Sequence, residues 1–152
     1  MRWTFIGILV IYSQIAHAWY PEFGHQLSGV GSYDLTGQHF LLIAFNRNNQ
    51  CHSVSLLLDE SIFSLYQSEK NEQINIELEV DNYRSWAPSF EIVEFDNWLP
   101  YPKALKHEIL PALLQQLRSG NILTLSIGKS KFKWSLAGSR LAILSAYHAC
   151  IE

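Results

Sequence analysis

Along residues 73–81 apolar and polar side chains alternate without interruption: Ile74, Ile76, Leu78 and Val80 interleave with Asn75, Glu77, Glu79 and Asp81. A period of two puts one set on a dry face and the other in water, so this is the clearest strand in the chain. Two further apolar runs, residues 38–45 and 50–58, flank Asn46-Arg47-Asn48-Asn49. Asparagine tolerates left-handed turn geometry, which makes this the best hairpin signal. With Arg47 and Asn48 at the tip, paired residue numbers sum to 95. Leu42, Ala44, Cys51 and Ser53 then share one face, and His39, Leu41, Ile43, His52, Val54 and Leu56 share the other. Both faces are largely apolar, which predicts a ribbon inside the domain rather than at its edge. Residues 89–95, 121–127 and 131–136 read as strands, the last with Lys131, Lys133 and Ser135 opposite Phe132, Trp134 and Leu136.

Helical spacing dominates elsewhere in the second half. Leu105, Ile109, Leu110, Leu113, Leu114 and Leu117 fall on one stripe, and Gly120 is placed to stop the helix. Pro111 either opens this helix in its first turn or kinks a longer one. Ser139 is placed to cap a last helix over residues 140–149, with Leu141, Ile143, Leu144 and Tyr147 among its apolar positions. Residues 59–72 read as a short helical turn or a loop. Residues 19–38, with Pro21, Gly24, Gly29, Gly31 and Gly37, read as an irregular opening segment with a short strand near residues 30–35. The expected fold is a single α+β domain, an antiparallel sheet or β-sandwich-like body with two helices in its second half.

The first 18 residues change the picture of where this domain works. Met1-Arg2 precedes an uncharged apolar run, residues 3–13, and Ala16-His17-Ala18 follows as a small-x-small site. This is the pattern of a secretory signal peptide cut after Ala18, leaving a mature domain of residues 19–152. The apolar run is shorter than the roughly 20 residues of a membrane span, and none as long follows it, so no transmembrane segment is expected after cleavage. Two cysteines remain, Cys51 and Cys150, and an even count in an exported chain reads as a disulfide. Two buried free thiols and a metal site are the other readings, the second weakened by the absence of a CxxC spacing. Hydrophobic content of 48% against 16% charged residues excludes disorder. The net charge of −3 becomes −4 without Arg2, and no basic run exceeds the Lys129, Lys131, Lys133 alternation, so nucleic acid is not an expected partner.

The second half carries a resemblance. It runs through Ile76-Glu-Leu-Glu-Val-Asp81, an amphipathic segment ending Leu117-Arg118-Ser119-Gly120, the strand Ile122–Ile127, and Trp134-Ser-Leu-Ala-Gly-Ser-Arg-Leu-Ala-Ile143 with Cys150 at the end. This pattern resembles the invasion-associated locus B type of small exported bacterial protein over residues 73–150. The tail is also similar to accessory proteins of type VI secretion systems. The resemblance implies an exported β-sandwich-like domain without a known enzymatic centre, and it assigns no functional residue.

Catalytic patterns are sparse. No HExxH, no Gly-x-Ser-x-Gly and no complete dinucleotide loop occurs. His39 and His52 share a hairpin face without standing opposite each other. Glu77 and Glu79 share a strand face, about 7 Å apart from the strand rise, a spacing compatible with a glycosidase pair and equally with a wet strand surface. The segment singled out is residues 83–102, which combines Tyr83, Trp86, Phe90, Phe95, Trp98 and Tyr101 with Pro88, Pro100 and Pro102. Trp86, Trp98 and Tyr101 are the expected binding residues, because stiff aromatic rings anchor interfaces at low entropic cost. The function expected is a periplasmic or secreted non-enzymatic module that binds another envelope or secreted protein, as an accessory, inhibitor or immunity-type factor, with no cofactor or metal. A small cell-wall-glycan hydrolase using acidic residues and a structural envelope component are the alternatives.

Overall fold

The computed structural model describes residues 19–23, 26–69, 75–94 and 103–152. The signal-like residues 1–18 lie outside them. Strands β1 (Tyr20–Phe23), β2 (Leu27–Tyr33), β3 (Phe40–Asn46), β4 (Val54–Leu58), β6 (Glu91–Glu94) and β7 (Lys103–Glu108) form one antiparallel sheet in the order β1-β2-β3-β4-β7-β6. Strands β5 (Ile76–Val80), β8 (Ile122–Ile127) and β9 (Ser130–Ser135) form a second, in the order β5-β8-β9. Helices α1 (Glu60–Glu69), α2 (Pro111–Ser119) and α3 (Ser139–Ile151) complete the α+β domain, two of them in the second half as expected.

The small sheet follows its sequence pattern closely. Leu78, Val80, Leu123, Leu125, Ile127 and Trp134 turn inward and are fully buried. Glu77, Ser126 and Lys131 line up across the opposite face, and Glu79, Thr124 and Lys133 form the next row. The large sheet is apolar on both sides. Leu41, Ile43, Leu56, Leu58 and Leu105 join the core shared with the small sheet and the helices, while Phe40, Leu42, Ala44 and Leu57 form a second buried cluster on the other side. The β3–β4 ribbon is therefore interior, as its pattern requires.

Its register differs from the sequence expectation. Leu41 pairs with Leu58 and Phe45 with Val54, so partner numbers sum to 99 rather than 95. The asparagines build a wider loop: Asn46 accepts from the Asn48 N–H across a 3₁₀ turn at Arg47–Asn49, and Asn49 donates to Ser53 Oγ. Gln50 and Cys51 then adopt left-handed φ values of 58° and 64°. The offset of four is even, so β3 and β4 keep the expected faces. Cys51, His52 and Ser53 leave the ladder, and Cys51 turns to the shared core.

The helix expected to include Leu105 is also corrected. Leu105 lies in β7, opposite Leu58 on one side and Ile92 on the other. Pro111 occupies the first turn of α2, and Leu110 before it is extended (φ −71°, ψ 152°), as steric conflict with the proline ring demands. The helix cannot grow backward, and the residues before it pair with β4 instead. The opening segment is more regular than its glycines suggest, forming β1 and β2. A Cβ on Gly31 would stand 2.0 Å from the Phe40 ring, so this glycine admits the ring across the strand rather than marking disorder. Residues 59–72 contain a full helix, α1, whose N-terminus is held by Asp59, which also accepts the Phe40 N–H at 2.8 Å.

Ser139 does not cap α3. Gly138 takes the cap position at φ 81°, and the Ser139 hydroxyl donates to the Leu117 carbonyl at 2.7 Å, fastening α3 to α2.

Candidate functional site

Helix α3 is fixed to the body at several points. Ser28 Oγ donates to the Ala146 carbonyl at 2.8 Å, a buried bond across 118 residues of chain. The Arg47 guanidinium donates to the Ala149 carbonyl at 3.1 Å, satisfying one of the helix's open C-terminal acceptors. Cys150 is disulfide-bonded to Cys51, with Cα atoms 6.1 Å apart. Ile143, Ala146 and Cys150 face the core.

The outward side of the same helix carries an apolar row beside Arg140, Ser145 and His148. Leu141 is 73% exposed, Ile151 56%, and Leu144 and Tyr147 40% each. Single exposed leucines are ordinary, but four apolar side chains on one helix flank, with only Arg140 and His148 between them, are not. Beside this face a cleft of about 280 Å³ opens between α2, α3 and the β3–β4 loop. Phe45, Val54, Leu114, Ile143, Leu144 and Tyr147 make its apolar walls, with the Tyr147 and Phe45 rings 5.6 Å apart. Arg118 and His52 supply its polar groups, and Cys51 of the disulfide also lines it. The Arg118 Nε is buried without a hydrogen-bond partner. Among the described residues, the ion pairs are Lys103–Glu94 and Lys106–Glu91, both on the β6–β7 hairpin, and no carboxylate answers Arg118.

Of the residues expected from sequence to bind, Trp86 lies among the described residues. Trp86 is half-buried, bridged by backbone hydrogen bonds to Leu78, and its indole N–H donates to Gln116 Oε1 at 2.9 Å. It packs against the shared core and joins β5 to α2. Trp98 and Tyr101 lie outside the described residues. Glu77 and Glu79 stand on the face of the small sheet that also carries Lys131 and Lys133. His39 contacts Ser61 Oγ through Nδ1 at 2.7 Å and stacks edge-on against Phe132, whereas His52 is exposed at the cleft. No group of three His, Cys, Asp or Glu side chains able to hold a metal occurs among the described residues.

One acidic group is clearly perturbed. Burial raises the Asp34 carboxyl, but the His39 N–H, the Thr36 hydroxyl, the Gln38 N–H and the nearby His39 imidazole outweigh it and leave the group below its ordinary value. With hydrogen bonds of 3.1, 2.8 and 3.0 Å to the first three, it organises the β2–β3 loop.

Sequence reading missed both Arg118 and the outer face of α3. A signal was present: Leu141, Leu144, Tyr147 and Ile151 follow a 3-3-4 spacing on the flank beside Ile143, Ala146 and Cys150. A second apolar row on a helix, beyond the one that faces the core, is surface that a partner can cover.

The fold and site define a disulfide-linked α+β domain with an exposed apolar helix. No described helix is long and apolar enough to cross a membrane. Compared with known proteins, the chain matches no family model, no curated protein and no solved structure.

Proposed function

We propose that this chain is an exported protein-binding module of the bacterial envelope, an accessory, inhibitor or immunity-type factor that docks through the outer face of α3. The observation carrying this reading is the row Leu141, Leu144, Tyr147 and Ile151, presented to solvent by a helix anchored to the body on its other side. Covering such side chains is favourable by up to roughly 1.5–3 kcal/mol for each one taken fully out of water. The anchored backbone means that little ordering is required when the partner arrives. The disulfide, the signal-like residues 1–18 and the resemblance of residues 73–150 to the invasion-associated locus B family support export to an oxidising compartment.

The test is capture from native envelope extract by the tagged protein, by the double variant Leu141→Glu/Leu144→Glu, and by Trp98→Ala/Tyr101→Ala. Folding of each is checked by circular dichroism and thermal melting. A stoichiometric protein retained by the unmodified protein and lost only by the α3 variant is the expected result. Loss with the aromatic variant instead would move the docking surface to residues 95–102. Equal retention by all three would overturn α3 as the surface.

A further inference from the structure

We infer that the cleft beside the disulfide is a carboxylate-reading subsite of this docking surface, with Arg118 receiving an acidic side chain from an amphipathic helix of the partner. The inference rests on the protein-binding reading and adds to it the chemistry of the partner.

Two independent observations point the same way. The first is a cation without an ion pair: Arg118 is half-buried and lines the cleft, its Nε–H is buried and unpaired, and no described carboxylate forms an ion pair with it. A planar guanidinium offers parallel donors to a carboxylate, a stronger pairing than neutral hydrogen bonds provide. The second is the setting. The cleft walls from Leu114, Leu144 and Tyr147 are apolar, and the last two continue directly into the exposed row on α3. A ligand filling both places is therefore apolar along its length with a carboxylate at one point. A glutamate set among leucines on one face of a helix has that form. Local charge agrees: Arg118 and Arg47, the latter bonded to the Ala149 carbonyl, stand at this corner of a chain whose net charge is −3. The cation is thus a local exception to an acidic protein, placed where the apolar surface begins.

The experiment uses defined probes on the purified, disulfide-bonded protein followed by NMR. Hexanoate, hexanol and hexylammonium are titrated first. A synthetic amphipathic helical peptide with leucines on one face and glutamates beside them follows, with its glutamine counterpart. The expected result is that hexanoate shifts the Arg118 Nε–H and the Leu114 and Leu144 methyl signals, and binds at least about tenfold more tightly than the other two small probes. The glutamate peptide likewise exceeds its glutamine counterpart by about tenfold, Arg118→Gln abolishes both preferences, and Arg118→Lys keeps part of each. Thermal melting shows which variants are folded, and Arg118→Lys carries the test if the glutamine variant is not. Equal binding of hexanoate and hexanol, together with equal binding of the two peptides, overturns the subsite. Peptides that bind α3 irrespective of glutamate and of Arg118 leave the docking reading standing while the carboxylate inference fails. Preference for hexanoate without any peptide binding replaces the partner protein with a free carboxylic acid as ligand, which overturns the inference as stated.

Discussion

Helices α2 and α3 pack against each other, yet they treat water in opposite ways. In α2 the buried residues are Leu113 and Leu117, and the outward positions Ala112, Gln115 and Ser119 present little apolar surface. In α3 the inner row Ile143, Ala146 and Cys150 is accompanied by a second apolar row, Leu141, Leu144, Tyr147 and Ile151, set among the exposed Arg140, Ser145 and His148. The first arrangement is what folding alone requires of a surface helix. The second exceeds that requirement, since side chains already in water contribute little to stability. The contrast separates residues that hold the domain together from residues available to a partner, and Leu114 and Arg118 lie at the boundary, lining the cleft between the helices.

The hardest test of this contrast is to release α3. Replacing Cys51 and Cys150 together by alanine opens a link spanning 99 residues. Loop entropy predicts a loss of about 4–5 kcal/mol, read from guanidinium unfolding midpoints. A loss under about 1 kcal/mol would mean that the hydrogen bonds from Ser28, Arg47 and Ser139 hold the helix without the bridge.

A finer test compares the two rows directly. Ile143→Ala, on the buried side, is expected to cost about 2–4 kcal/mol through lost contacts and a residual cavity. Leu141→Ala, 73% exposed, is expected to stay within about 0.5 kcal/mol of the unmodified protein. Urea denaturation of both variants reads the difference. Comparable losses at the two positions would show that the outer row supports the fold and would remove the main argument for docking.

The smallest effect is confined to acid and serves as a control away from the helices. Asp34 titrates lower in the folded protein than in the unfolded chain. Its stabilisation is therefore complete above the unfolded aspartate pKa and disappears as pH falls through the folded one. The stability gap between the unmodified protein and Asp34→Asn should narrow as pH falls through that window, in urea midpoints taken from neutral to acid pH. A gap independent of pH would assign the loop's order to the shape of the side chain rather than to its charge.

Elements whose surroundings are simple were legible in the sequence. The small sheet has one dry face and one wet face, so the alternation of residues 76–80 and 122–127 appears without distortion. In the large sheet both faces are apolar, and periodicity no longer separates inside from outside. There the pairing of β3 with β4 depended on how Asn46 and Asn49 bond within the loop, and β7 was mistaken for helix because Leu105 and Ile109 happen to stand four apart. The glycines of β2 read as irregularity because the Phe40 ring that covers Gly31 comes from another strand. The candidate site was less legible still. Trp86 had the composition of a binding residue, but its indole joins a strand to a helix.

By itself, the sequence determined the α+β class, the interior position of the β3–β4 ribbon and the strands of the small sheet, because each follows from local periodicity, while a count of two cysteines favoured the Cys51–Cys150 bond that the structure shows. Only the tertiary structure decided which side of α3 faces water and that Arg118 forms no ion pair among the described residues. A helix with apolar residues on two flanks does not show by its pattern which of them faces the core, and whether a cation is paired depends on side chains brought to it from distant parts of the chain.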